Sequence, residues 1–291
     1  MFEGVFPAII TPFLKDESLD EEGLKKNIRY LSNTGISGIV PCGTTGESAT
    51  LTFEEHKRVV EIAVEASKVP VIAGTGSNNT REAMELTRHA AEAGADAALL
   101  ITPYYNKPTD KGMFEHFKAV AEKCDIPIVL YNVPSRTGIN LKPELVAKLS
   151  KVKNIVAIKE ASGNLSQQSQ IIEQTRGSDF VVLSGDDDLT LPTMALGARG
   201  VVSVIANVAP RKTVALVNAA LKGDFETARK LHYELLPLVR AMFLETNPIP
   251  VKTAHKYLGL ANGPLRLPMS SMAPEKEATL KEILEKLGER A

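Results

Sequence analysis

Eight short apolar runs, rich in β-branched residues and separated by segments of helical pattern, constrain this chain more than any other feature. They cover residues 5–11, 36–42, 70–75, 97–102, 126–132, 155–159, 180–185 and 200–206. Both faces of each run are largely apolar, as parallel strands covered on both sides require. The runs recur at intervals of roughly 20 to 35 residues, room for a strand, a crossover helix and two loops. Eight strand–helix units are the number that closes a parallel barrel without an edge strand. An open doubly wound sheet is the rival, but it seldom needs so regular a count.

The segments between the runs carry helix-end signals. Asp20-Glu21-Glu22 places acids at the positive end of the first helix dipole. Thr52-Phe53-Glu54-Glu55 has the spacing of a capping box, and Pro143 stands at a first helical position. Gly94 and Gly197 suit left-handed caps of the third and seventh helices. After residue 222 no further strand is expected, and helices are predicted over 225–243, Ile249–Leu258 and Pro274–Leu287. The expected architecture is therefore α/β: a (β/α)8 barrel over residues 1–222 with a C-terminal helical extension, 223–291, packed on it. A length of 291 residues with 44% hydrophobic residues supports a core of that size.

Charge excludes other classes. Lys+Arg number 34 against Asp+Glu 35, so the basic excess of a nucleic-acid binder is missing. No apolar segment approaches the ~18 residues of a membrane span, and the start, Met-Phe-Glu-Gly-Val-Phe-Pro, lacks the basic residues of a signal peptide. Cys42 and Cys124 form neither a CxxC pattern nor a disulfide framework. These features read as a soluble, cytoplasmic chain.

In a parallel barrel the active site lies at the C-terminal strand ends, which reduces the sequence to a few loops. Lys159 ends the apolar strand Ile155-Val156-Ala157-Ile158. Desolvation at such a place disfavours an ammonium, and the free amine is a nucleophile towards carbonyls; the bland reading is an amine that snorkels to water. Tyr131 ends the preceding strand, either to move protons or as a core aromatic with a wet hydroxyl. Of six tyrosines, Tyr104, Tyr105 and Tyr131 fall on two strand-end loops, a concentration that favours function. Gly43-Thr44-Thr45-Gly46 is either an anion-binding loop or a tight turn needing two glycines. Arg136 is either a carboxylate clamp or a surface residue. Asp186-Asp187-Asp188 would repel a phosphate and reads as a helix start, with cation binding as the rival. His56, His89, His116, His232 and His255 show no zinc-binding spacing, and neither a P-loop nor a GxSxG elbow is present.

Taken together, Gly43-Thr44-Thr45-Gly46-Glu47, Tyr131-Asn132-Val133-Pro134-Ser135-Arg136-Thr137-Gly138 and Ile158-Lys159-Glu160 resemble the signatures of the dihydrodipicolinate synthase / N-acetylneuraminate lyase family. The resemblance runs from Gly4-Val5-Phe6-Pro7-Ala8 to Asn247-Pro248-Ile249-Pro250-Val251-Lys252. It implies a pyruvate-dependent lyase or aldolase that works through an imine on Lys159 and needs no metal or organic cofactor. Arg136 and Tyr105 match the synthase branch, in which the arginine holds the carboxylate of aspartate semialdehyde. The implied product is 4-hydroxy-tetrahydrodipicolinate, at the entry to lysine and diaminopimelate synthesis. The rival within the family is an aldolase for a 2-keto-3-deoxy sugar acid or sialic acid; outside enzymes, it is a non-catalytic metabolite sensor.

By the same resemblance Tyr131, Thr44 and Tyr105 relay protons, and Thr45 binds the pyruvate carboxylate. Gly185 and Val202 line the substrate pocket. Tyr105 would reach a neighbouring subunit of a homotetramer built from dimers. Ser48, Ala49, His56, Asn78, Glu82 and Tyr104 match a lysine-regulatory pattern, from which Phe53 departs, since sensitive members carry a histidine there.

Overall fold

The computed structural model describes residues 2–288. Seven parallel strands are assigned among them: β1 (Gly4–Pro7), β2 (Ile72–Gly74), β3 (Ala97–Ile101), β4 (Ile128–Asn132), β5 (Ile155–Glu160), β6 (Val181–Ser184) and β7 (Gly200–Ser203). Their order in the sheet is β1-β7-β6-β5-β4-β3-β2. The run at 36–42 was expected as a full strand, but it contributes only two parallel bridges, Ala8↔Val40 and Ile39↔Val71. The local chemistry accounts for the difference. Gly38 lies so close to its neighbours that a Cβ there would stand 2.7 Å from the Pro70 carbonyl oxygen, Pro41 has no N–H for a ladder, and Cys42 turns the chain left-handed at φ 54°. The bridges still give residues 39 and 40 the second strand position, and the fold class is the (β/α)8 barrel.

The helices follow the predicted alternation. They are α1 (Glu21–Ser32), α2 (Phe53–Ala66), α3 (Thr80–Ala93), α4 (Asp110–Lys123), α5 (Pro134–Thr137), α6 (Pro143–Leu149), α7 (Leu165–Gln174), α8 (Thr190–Leu196), α9 (Pro210–Leu221), α10 (Phe225–Ala241), α11 (Ile249–Leu258) and α12 (Pro274–Leu287). Asp20 caps α1 through the Gly23 N–H at 2.8 Å. Thr52 and Glu55 form the reciprocal capping box of α2, and Gly94 closes α3 at φ 92°. Gly197 ends α8 at φ 122°. The one-turn α5 lies inside a predicted loop. The run at 200–206 is strand only to Ser203, after which Ile205–Asn207 wind into a 3-10 turn.

The chain divides into two compact units, Met1–Gly4 with Ile72–Val202, and Val5–Val71 with Ser203–Ala291. The first is centred on β2 to β6, where Ile72, Leu100, Ile128, Leu130, Ile158 and Leu183 are wholly buried. In the second, Phe6, Leu24, Ile28, Ile39 and Ile62 are wholly buried. Each such side chain contributes roughly 1.5–3 kcal/mol of transfer free energy. Among the described residues no helix is long and apolar enough to cross a membrane.

Candidate active site

In the unit that carries β2 to β6, parallel register places Tyr131 opposite Lys159 and Asn132 opposite Glu160. Side chains alternate along a strand, so the first pair shares one face of the sheet and the second pair the other. Lys159 and Tyr131 are each 6% exposed, and Lys159 Nζ lies 4.2 Å from the centre of the Tyr131 ring. The aromatic face is the electron-rich side of the quadrupole and holds the amine in place. Gly185 follows β6, and a Cβ there would stand 2.6 Å from Ala161 Cβ and 3.1 Å from Lys159 Cε. Glycine is needed at 185 so that the lysine stem has room.

The opposite face is a buried polar network. Glu160 accepts from Asn132 Nδ2 at 2.9 Å, from the Ser162 N–H at 2.9 Å and from Gln167 Nε2 at 3.3 Å. Asn140 links Asn132 and Gln167 at 2.9 and 2.7 Å. Burial pushes the Glu160 carboxyl above the usual carboxylate range, while the bonds it accepts pull it back. Asp186, next to Gly185, is pushed up to about 6, first by burial and then by the nearby Asp188 charge. Its bond from the Gly163 N–H, 3.1 Å, and the charge of Lys159 act in the opposite sense. Among the described residues no group of three or more His, Cys, Asp or Glu side chains is placed to hold a metal ion.

The loops of this unit place the remaining residues. Arg136 is exposed on α5, which ends at Gly138 with φ 71°. Lys107 Cε would lie 2.8 Å from a Cβ at Gly138, so the Tyr104–Pro108 loop rests on the turn that carries the arginine. Tyr105 is 88% exposed and has φ 70°, with the Asn106 N–H bonded to the Tyr104 carbonyl across it at 2.8 Å. A left-handed tyrosine costs roughly 1–2 kcal/mol. Asn106 Nδ2 bonds the Asn78 carbonyl at 2.9 Å, which brings Asn78 and the Tyr104 loop together. Glu82 accepts from Ser77 Oγ at 2.8 Å and from Asn79 Nδ2 at 3.1 Å. Val202 is buried on β7.

Thr44, Thr45, Ser48, Ala49 and His56 belong to the other unit. Thr45 and His56 are buried, Thr44 and Ser48 are half-buried, and Ala49 is exposed. Thr11 Oγ1 donates to the Gly46 carbonyl at 2.7 Å, and Asn247 Nδ2 donates to Thr45 Oγ1 at 3.0 Å. Glu47 Oε1 pairs with Lys252 Nζ at 2.6 Å, both side chains almost fully buried. Burial pushes Lys252 below the ordinary lysine range, and Glu47 pulls it back. Arg266 donates its backbone N–H to Glu47 Oε2 at 3.2 Å and binds Glu55 through its guanidinium at 2.7 Å. Phe13 has Lys252 Nζ 4.3 Å and Arg266 Cζ 4.1 Å from its ring centre.

Residues 1–287 match the model of the dihydrodipicolinate synthetase family. This chain belongs to that family. The 4-hydroxy-tetrahydrodipicolinate synthase of Methanothrix thermoacetophila is 70% identical over 289 residues, 99% of this chain and 98% of that one. The Methanosarcina mazei enzyme of the same name is 61% identical over 288 residues, 99% of each chain. Among solved structures, the dihydrodipicolinate synthase of Aquifex aeolicus superposes with a TM-score of 0.96 at 52% identity, covering 99% of this chain and 98% of that one. The lysine-bound enzyme of Cyanidioschyzon merolae does so with 0.95 at 40% identity, over 99% and 98% of the two chains.

Several polar residues of this family member escaped the sequence reading. Asn247 and Lys252 stood there only as the far end of the motif match, and Glu160 only as the neighbour of Lys159. A lysine and a glutamate near apolar residues are the signal for a buried pair, but nothing in their order says which acid meets which base. Asp186 was read as a helix-start acid, and in the structure it also lies within electrostatic reach of Lys159.

Proposed function

We infer that this chain is a 4-hydroxy-tetrahydrodipicolinate synthase that condenses pyruvate with L-aspartate 4-semialdehyde through an imine on Lys159. The observation that carries the reading is the buried Lys159 amine held over the Tyr131 ring, in a chain 70% identical to an enzyme of that name. Lys159 attacks the pyruvate ketone and water leaves as the imine forms. Loss of a methyl proton gives the enamine, whose carbon attacks the aldehyde. The amine of the semialdehyde then displaces Lys159 as the ring closes. The protonated imine serves as the electron sink, so the chemistry calls for no metal or organic cofactor.

In this reading Tyr131, Thr44 and Tyr105 carry protons, Thr45 receives the pyruvate carboxylate, and Gly185 and Val202 shape the pocket. Arg136, exposed on its short helix, clamps the semialdehyde carboxylate. The 88% exposed Tyr105 side chain is free of its own subunit's core, which supports a homotetramer of dimers that share Tyr105. The regulatory pocket for lysine comprises Ser48, Ala49, His56, Asn78, Glu82 and Tyr104; Phe53 in place of a histidine weakens it. Residues 1–222 are the catalytic barrel, 223–291 the packed extension, and the enzyme is cytoplasmic.

The test is to incubate the protein with pyruvate, reduce with borohydride and map the adduct by mass spectrometry. Label on Lys159 is expected, and its absence would sink every imine reading. Turnover with aspartate semialdehyde against sugar-derived aldehydes then decides the branch; preference for the sugar aldehydes would overturn the synthase assignment.

A further inference from the structure

Thr45 Oγ1 accepts the Asn247 amide at 3.0 Å, within a buried setting. A hydroxyl carries one donor hydrogen and two lone pairs. With an N–H on one lone pair, the oxygen is fixed and its own hydrogen is left to donate in another direction. The Thr45 side chain can then meet an anion only through that donor. Asn247 therefore sets the polarity of Thr45 as well as its place.

The next residues of the same loop are gripped by the same stretch of chain. Lys252, in the first turn of α11, pairs with Glu47 at 2.6 Å and donates to the Pro264 carbonyl at 2.8 Å. Glu47 leaves the loop at φ 54°, a conformation that a residue with a side chain keeps only when its surroundings hold it. Residues 247 and 252 thus fasten 45 and 47, one by a directed amide and the other by a buried ion pair.

We propose that Asn247 is a positioning residue for the keto-acid carboxylate, presetting the Thr45 hydroxyl as a donor on a loop that the Glu47–Lys252 pair holds still. This rests on the assignment of Thr45 to the pyruvate carboxylate made above. Asn247→Asp keeps the shape but reverses the polarity. An aspartate accepts the Thr45 O–H and adds a negative charge beside the incoming anion. Asn247→Ala only removes the donor, and Asn247→Ser keeps a small one.

The experiment measures the pyruvate concentration that half-saturates borohydride trapping on Lys159, together with KM and kcat, in proteins shown to be folded by circular dichroism. Half-saturation is expected to rise about tenfold in Asn247→Ala and about a hundredfold in Asn247→Asp, with kcat at saturating pyruvate within a few-fold of the parent. Asn247→Ser should fall between Asn247→Ala and the parent. In a Thr45→Val background, Asn247→Ala should add nothing further. Asn247→Asp no worse than Asn247→Ala, or kcat losses with unchanged half-saturation, would overturn the proposal. A parent protein that traps no pyruvate on Lys159 would instead remove the functional reading beneath it.

Discussion

The strand ends around Lys159 and the loop around Thr45 hold their polar groups by different means. Glu160 meets Asn132, Ser162 and Gln167, none more than 28 positions away, and its partners are neutral amides and a backbone N–H. Thr45 and Glu47 meet Asn247, Lys252 and Arg266 across 202 to 219 positions, and the partners include buried full charges. The first arrangement follows from adjacent strands and their loops. The second exists only when the C-terminal segment has arrived. The polar network beside the lysine strand end is thus intrinsic to the sheet, while the loop around Thr45 depends on long-range closure.

The largest effect that would sharpen this contrast lies in the ion pair. Lys252→Met leaves Glu47 charged and buried without its partner and should cost about 3–5 kcal/mol in urea unfolding. Glu47→Leu with Lys252→Met should recover most of that loss, because a buried pair can be replaced by apolar residues at little net cost. A double variant as unstable as the single one would show that the pair's geometry, not its charge, holds the loop.

On the amine side the expected loss is in activity rather than stability. Tyr131→Phe keeps the aromatic face over Lys159 and removes only the hydroxyl. Turnover should fall about 10²-fold, while the thermal midpoint stays put and pyruvate is still trapped at saturation. Disappearance of the trapped adduct would mean that the hydroxyl, and not the ring, holds the amine.

The smallest effect is a pH dependence confined to the same side. Asp186 stands at about 6 in the folded chain against an ordinary 3.8, so between those values the native state holds the proton more tightly than the unfolded one. Its contribution to stability is therefore greatest near pH 4 and lost as pH rises through 6. Asp186→Asn should match the parent near pH 4 and exceed it above pH 6 by roughly 1–2 kcal/mol in urea unfolding, less than the roughly 3 kcal/mol of the full difference because solvent reaches this half-buried carboxyl. His116 and His255, each pushed down to about 4 by burial, act in the opposite sense but are common to both chains and cancel. An unchanged difference across the range would show that burial does not hold the Asp186 proton.

The barrel itself was legible because its signals are local. Apolar runs on both faces read as parallel strands, and the Thr52 capping box, the Gly94 cap and the three C-terminal helices stand where their residue types require them. The run at 36–42 misled because apolar character marks burial as well as pairing. Gly38, Pro41 and the left-handed Cys42 limit it to two bridges. Lys159 and Tyr131 were legible as a pair, since each ends an apolar strand and neighbouring parallel strands keep register through their hydrophobic period.

What the residues determine alone is thus the alternation of strands and helices, their caps, and the strand-end amine with its tyrosine. Which hydrogen bonds and ion pairs hold the loop around Thr45 was decided only by the tertiary structure. The reason lies in burial. Strand register is written in side chains a few residues apart, whereas Thr45 and Glu47 find their buried partners only where folding joins positions some two hundred residues distant, and no local pattern records that choice.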